Sequence, residues 1–478
     1  MAERPVLAEK PGNAGGAKGP RDERNARKDE GTMETGVDLQ APDTVRRLQT
    51  ALHAKAKGDP DFRFYTLSDK VWRQDVLTAA WRAVRRNGGA CGVDGETFER
   101  IKERGVNRWL GELANELREN TYRPRAVRQV LIPKKQAGEF RPLGIPCIRD
   151  RVAQTAAMLV LSPIFEVDLQ PEQYAYREGR SALDAVRHVH RLVNTGHREV
   201  VDGDLSNYFG EIPHSELLQS IARRVSDGRM LGWIKLWLEM AVEEDAGKGG
   251  KRRTNRARRE RKGTPQGAPI SPLLSNVYMR RFILGWKRLG YARRFGAEIV
   301  NYADDFVVCG KAPAEAMRAA VEQMMKKLRL PINATKTRCL RMPEEPMEFL
   351  GYRIGRNYSP RTGRAYIGTR PSRGSVRSIC RKVSELTEAR YGVLDPELVV
   401  GRLNRAMLGW ASYFQLGQVN PAYHSIDSHA TKRLRQWFCR KHKVRSGKYV
   451  RFSNKRLWND HGLTRLAPRT ASFPWAKA

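Results

Sequence analysis

The sequence predicts an α+β fold followed by an all-helical region, and two observations carry that reading. Between about residues 128 and 355, the short strand-like runs "VRQVLIP", "HREVVDGDL", "AEIVNYA" and "DFVVCG" alternate with segments of helical periodicity, a pattern of α+β or α/β domains. Past about residue 373 such runs stop. There "LDPELVVGRLNRAMLGWASYF" sets Val399, Leu403, Met407, Trp410 and Phe414 at spacings of three and four, with Arg402 and Arg405 off the stripe, which is a helix in need of a packing partner. At 478 residues and 40% hydrophobic content, the chain is long enough for two or three domains with a large core.

Taken in order, residues 1–60 are rich in Gly, Pro, Ala and charge, as in "KPGNAGGAKGPRDERNARKDEG". They offer too little apolar surface to offset ordering entropy, so a disordered leader is expected. The first helix falls on "DKVWRQDVLTAAWRAVRRN", with Val71, Val76, Ala79, Ala80 and Val84 on one side, and "GACGVDGETF" follows as a glycine-rich loop. In the helical region, Asp395 is an N-cap and Pro396 a first helical residue. The segment "HATKRLRQWFCRKHKVRSGKYVRF" reads as a basic face with Trp437 and Phe438 interleaved. Residues 441–478 form a short, basic, loop-rich tail. No internal repeat is visible.

A formal charge of +36 and a pI near 10.4 favour a polyanionic partner. No run of about 18 apolar residues is present, which excludes a spanning helix. The six cysteines lack metal spacing and are expected as reduced thiols of a cytoplasmic protein, nucleoid-associated when on DNA. The start of the chain has no apolar signal segment, and Glu3, Glu9, Asp22 and Glu23 argue against a transit peptide.

The chemistry concentrates in acids. In "EIVNYADDFVVCG", Asp304 and Asp305 interrupt an apolar run. A strand, a tight turn and a second strand would place both at a hairpin tip, although Asp is also ordinary turn chemistry. Asp204, in "VVDGDLSNYFGEIPH", closes another strand-like run, while Asp202 is read as lying on a different phase of that strand. Three converging carboxylates repel one another unless cations lie between them. Hard oxygen donors suit Mg²⁺, and two such ions serve in-line phosphoryl transfer. The run "GKGGKRRTNRARRERKG" sets nine Lys and Arg against Glu260. It is expected to be a mobile loop whose Lys251, Arg252, Arg253, Arg256, Arg258 and Arg259 bind RNA.

These motifs resemble a known family. "NYADDF" and "DLSNYF" look like the metal-binding motifs of reverse transcriptases. "GTPQGAPISPLLSNVYM", "VLIPKKQAGEFRPLGIPCIRDRVAQ", "YAYREGRSALDAV", "LPINATKTRCL" and "MEFLGYRIG" resemble, in order, further blocks of bacterial group II intron reverse transcriptases. The resemblance implies a right-hand polymerase with fingers and palm over 61–372, including an N-terminal extension over 61–110. It also implies a thumb or maturase domain X over 373–440 and a DNA-binding domain over 441–478.

By position it implies Asp204, Asp304, Asp305 and the Leu205 carbonyl as ligands of two Mg²⁺ ions, with Mn²⁺ as a substitute. Phe209 corresponds to the gate that excludes a 2′-hydroxyl. Gln266 lies by the incoming nucleotide, Lys134 and Arg141 grip its triphosphate, and Lys336 serves the pyrophosphate. Tyr302, Pro265 and Gly267 face primer and template. Gly210 departs from the family, which usually has Asp there.

The implied activity is RNA-directed DNA synthesis from dNTPs, with binding and splicing of a group II intron RNA and target-primed copying of it. The segments show no His- and Cys-containing nuclease block, so priming from a nick, fork or single-stranded DNA is expected. An intron-free enzyme of DNA repair or phage defence shares the same palm. An RNA chaperone with a dead polymerase would not need the three acids and Gln266.

Overall fold

The computed structural model describes residues 43–133, 140–246, 250–359 and 362–473. In chain order the strands begin with β1 (Val127–Pro133), β2 (Phe140–Ile145), β3 (Glu199–Asp204), β4 (Val242–Asp245) and β5 (Lys251–Thr254). They continue with β6 (Glu298–Tyr302), β7 (Asp305–Gly310), β8 (Arg338–Arg341), β9 (Met347–Phe349), β10 (Tyr352–Tyr358) and β11 (Ala365–Pro371). Among the described residues these form three sheets, ordered β2-β1-β4-β5, β6-β7-β3-β8 and β11-β10-β9. The second is the palm. Its central strands carry Val200, Val201, Val307 and Val308, all fully buried, so both faces are covered.

One face is covered by helices Ser271–Arg288 and Ala314–Lys327, which share a core with the helices before β1. On the other face, helix Ala182–Asn194 and strands β9 and β10 form a second core. Arg373–Leu386, Pro396–Tyr413 and Asn420–Lys441 are helices around a third. The expected stripe is buried at Val399, Leu403, Met407 and Phe414. Asp395 caps that helix by accepting from Glu397 N at 2.8 Å, with Pro396 at its first position.

Three expectations change. A helix spans Asp43–Gly58, inside the leader read as disordered. Val45, Leu52 and Ala56 bury one side of it, and Gln49 Nε2 donates to Leu159 O at 3.0 Å on helix Ile148–Asp168. The stripe is short, and the composition of the preceding forty residues hides it. Trp437 and Phe438 do not line a basic surface. Both are 1% exposed, because Ala430, Leu434, Trp437 and Phe438 fall on the inward side of their helix.

Nor does packing break near residue 440: Phe452, Leu457, Leu463 and Leu466 belong to the same core as Leu403 and Leu434. Asp427 ties the later segment in by accepting from Leu466 N and Ala467 N. Among the described residues, no helix is long and apolar enough to cross a membrane.

Candidate active site

β6 and β7 form the expected hairpin. Tyr302 pairs with Asp305, and Ala303 and Asp304 make the turn. Ala303 has φ +57°, a conformation that costs an L-residue about 1 kcal/mol. Fully buried Asn301 holds it there, its Nδ2 donating to Ala303 O at 2.9 Å and Asp305 O at 3.2 Å. The Asn301 backbone is itself bonded to Glu172 O and Tyr174 N. The tip is therefore rigid before any ligand arrives.

β3 runs antiparallel to β7 with Asp204 directly opposite Asp305. Between Asp202 and Asp204, the Phe306 ring occupies the space a Cβ on Gly203 would need. A side chain at 203 would push the ring from beneath the acids. The Asp204 carbonyl accepts from Asn333 N at 2.9 Å, and buried Leu205 bridges to Ile332.

Asp204 and Asp305 thus face each other across the ladder with Asp304 beside them, and their charges act on one another. Burial, then Asp304, Asp204 and Asp202, push the Asp305 carboxyl up to about 7. Asp304 is raised chiefly by burial, with Arg141 and Lys336 opposing. Lys336 Nζ stands 3.8 Å from Asp204 Oδ2. Asp202 is not on a different phase. Two residues apart on a strand means one face, and Asp202 adds to the repulsion while Arg338 Nη2 donates to it at 2.9 Å. Among the described residues, no three His, Cys, Asp or Glu side chains converge closely enough to cage an ion.

Phe209 follows buried Tyr208, whose hydroxyl donates to Ser275 O at 2.6 Å. Tyr208 is core; Phe209 is only half-buried, its carbonyl accepting from Thr264 N at 2.7 Å. Gln266 is fixed by Gly144 N donating to its carbonyl at 2.7 Å, while its Oε1 is buried without a protein partner. Gly267 has φ +106°, and a Cβ there would lie 2.4 Å from Gly144 O, so only glycine fits. Pro265 O accepts from Ser271 Oγ at 3.0 Å. Gly210 also has a reason: Asn207, at φ +50°, folds its amide over it, 2.2 Å from where a Cβ would stand. Arg141 sits exposed opposite Ile132 on the β1–β2 hairpin. Lys134 lies outside the described residues.

The described part of the basic run is not a bare loop. β4 and β5 oppose Glu243 with Arg253, Glu244 with Arg252 and Asp245 with Lys251. Arg252 and Glu244 approach to 2.9 Å, and both Lys251 and Arg253 reach Glu243. Arg256 pairs with Glu260 at 2.8 Å, while Arg258 and Arg259 share its helix Arg256–Glu260. Acids of the neighbouring strand offset Lys251, Arg252 and Arg253, and in the following helix Glu260 offsets Arg256.

Two tyrosines were not singled out from sequence. Tyr176 has φ +58°. Partial burial and then the Asp304 charge push its phenol up to about 12. Tyr413, from the helical region, has its phenol raised by burial, Tyr302 and Asp305. Tyr176 lies inside a quoted block; Tyr413 has no local signal at all.

The model of reverse transcriptases (RNA-dependent DNA polymerases) matches residues 132–354, and that of the group II intron maturase-specific domain matches 376–458. The chain is similar to protein YkfC of Escherichia coli, 31% identical over 66% of this chain and 89% of that one. It is also similar to the group II intron-encoded protein LtrA of Lactococcus lactis, 30% identical over 47% of this chain and 36% of LtrA. A putative COX1/OXI3 intron 1 protein of Saccharomyces cerevisiae is 23% identical over 59% of this chain and 38% of its own. Carrying both domains in order, the chain belongs to the family of group II intron-type reverse transcriptases with a maturase domain.

Proposed function

We propose that the protein is an RNA-directed DNA polymerase that binds a group II intron RNA, assists its splicing and copies it into DNA from a target primer. The observation that carries the polymerase is Asp204 facing Asp305 across the β3–β7 ladder, with Asp304 at the adjoining tip. This donor set fits Mg²⁺, which takes few carboxylates and leaves positions for water and phosphate. When bound, two ions would supply the positive charge that an in-line nucleotidyl transfer needs. The residues Asp204, Asp304, Asp305 and the Leu205 carbonyl would hold them.

The remaining work belongs to the chain. Arg141, whose charge acts on Asp304, would grip the triphosphate, and Lys336, 3.8 Å from Asp204, would serve the leaving pyrophosphate. Gln266 and Phe209 would border the sugar and base. Primer extension on an RNA template with dNTPs and Mg²⁺ tests the reading: full-length cDNA is expected, and no product on any template would sink it. For the intron role, RNA from the flanking genomic sequence should bind more tightly than unrelated RNA of equal length. Equal affinity would favour an intron-free enzyme.

Shrinking the gate gives a further expectation. Phe209→Ala should raise ribonucleotide incorporation relative to deoxyribonucleotide on the order of 100-fold, measured as the ratio of kcat/KM values. An unchanged ratio would return Phe209 to a packing role.

Charge pairing on β4 gives another. With Glu243→Gln and Glu244→Gln together, Lys251, Arg252 and Arg253 are released, and RNA binding at low salt should tighten about fivefold with a steeper salt dependence. Weaker or unchanged binding would show that the strand pair is purely structural.

A further inference from the structure

The turn that follows β3 is tied to the segment that leads into Gln266. Helix Tyr208–Glu211 carries Phe209, and the chain then passes through Ile212 and Pro213 to His214. Residues 261–264 return beside it, with Pro213 bridged antiparallel to Lys262. Three backbone bonds join the two segments. His214 N donates to Arg261 O at 2.9 Å, Gly263 N to Ile212 O at 2.8 Å and Thr264 N to Phe209 O at 2.7 Å. Buried His214 adds a fourth bond, its Nε2 donating to Gly263 O at 2.8 Å.

The returning segment is not a relaxed strand. Arg261 has φ +52° and Gly263 φ +95°, and a Cβ on Gly263 would lie 3.1 Å from Gly210 O. An arginine stays in the left-handed region only where its surroundings over-determine it. Between these two residues, Lys262 sends its Nζ to Glu211, 2.8 Å from Oε2 and 3.1 Å from Oε1. Both side chains are partly buried, and Glu260 stands 3.7 Å from the same Nζ. Gly210 has no side chain, so Glu211 is the first residue after Phe209 that can reach across.

This ion pair closes a ring with the Phe209–Thr264 bond. The turn bearing Phe209 and the start of the Thr264–Pro265–Gln266 run are therefore joined twice, once by backbone and once by charge. Glu211, Lys262 and Gln266 also line one cleft of about 210 Å³. A steric gate works only while its ring and the opposing wall keep their separation, and a displacement of about 1 Å is enough to spoil such geometry.

We propose that Glu211 is a positioning residue for sugar selection: through Lys262 it holds the Phe209 turn against the Gln266 segment, so that the ring stays where a 2′-hydroxyl would meet it. The inference rests on the reading of Phe209 as the gate and names what keeps that gate in place. Glu211→Gln keeps the shape of the side chain and removes its charge.

Single-nucleotide extension of a preformed RNA template–DNA primer duplex tests it, with a deoxyribonucleotide and the matching ribonucleotide varied separately. Glu211→Gln should raise the ratio of ribonucleotide to deoxyribonucleotide kcat/KM about fivefold, the reach of a partly exposed ion pair. Lys262→Met should do the same, whereas Lys262→Arg, which keeps the charge, should stay near the wild-type ratio. With Glu211→Gln and Lys262→Met together the rise should still be about fivefold, because one interaction cannot be lost twice. The melting temperature should stay near wild type.

A wild-type ratio in Glu211→Gln, while Phe209→Ala shifts it, overturns this inference alone. A rise of about 25-fold in the double variant would mean that the two residues act separately, and overturns it too. So does an equal fall of both kcat/KM values with a lowered melting temperature, which makes the pair an ordinary structural contact. If Phe209→Ala leaves the ratio unchanged, the gate reading fails, and this one with it.

Discussion

Alanine at both 304 and 305 should leave RNA binding at wild-type strength and reduce primer extension to below about one ten-thousandth of the wild-type rate, a barrier increase of about 5.5 kcal/mol. The two acids sit at a tip that is rigid for other reasons. Asn301 bonds the Ala303 and Asp305 carbonyls, which alanine retains. Removing the carboxylates also removes the repulsion that pushes Asp305 up to about 7. The double variant should therefore melt no lower than wild type, so that lost activity cannot be a folding defect. The basic residues lie on other elements, and RNA binding, measured by filter retention or anisotropy, should not change. Substantial extension by this variant would remove Asp304 and Asp305 from the chemistry altogether.

The acids were legible because strand and hairpin chemistry are local: a turn between two apolar runs fixes Asp304 and Asp305, and a strand end fixes Asp204. The same period of two, applied strictly, places Asp202 beside them. Periodicity also held the signal for Trp437 and Phe438, which share a helical side with Leu434. What could not be read was tertiary. Glu243 and Glu244 neutralise Arg253 and Arg252 only because β4 returns against β5, so the basic run looked bare when read alone. Tyr413 reaches Leu350 through a domain contact between segments 63 residues apart. No spacing rule encodes such a meeting. The Asp43–Gly58 helix lies between these cases: its stripe is present, but its partner, Ile148–Asp168, is distant in sequence.

Asp227→Ala should be the most damaging single change for stability, costing about 3–5 kcal/mol in urea unfolding at neutral pH. Asp227 is 5% exposed. Its Oδ2 accepts from Leu67 N and Ser68 N, both at 2.7 Å, and its Oδ1 caps helix Gly228–Leu238 through Met230 N at 3.0 Å. Alanine strands three amides at once. Three residues earlier, Arg224 donates to the carbonyls of Ala56, Asp59, Pro60 and Phe62 and pairs with Asp168. Residues 224–227 therefore fasten segment 56–68 to the body of the protein, and the variant should be cut first in that segment by limited proteolysis. Asp227→Asn keeps one acceptor oxygen and should cost less than alanine.

The pH dependence has a definite sign. Burial alone would raise the carboxyl, but hydrogen bonds from Ser68, Met230 and Leu67 prevail and hold it below its ordinary value. A depressed folded pKa stabilises the protein above the unfolded value, near 4, and that contribution disappears as pH falls through the folded one. The gap between wild type and Asp227→Asn should be full at neutral pH and close progressively below about pH 4. A gap that stays constant with pH would show that the charge on Asp227 contributes nothing and that only its shape is needed.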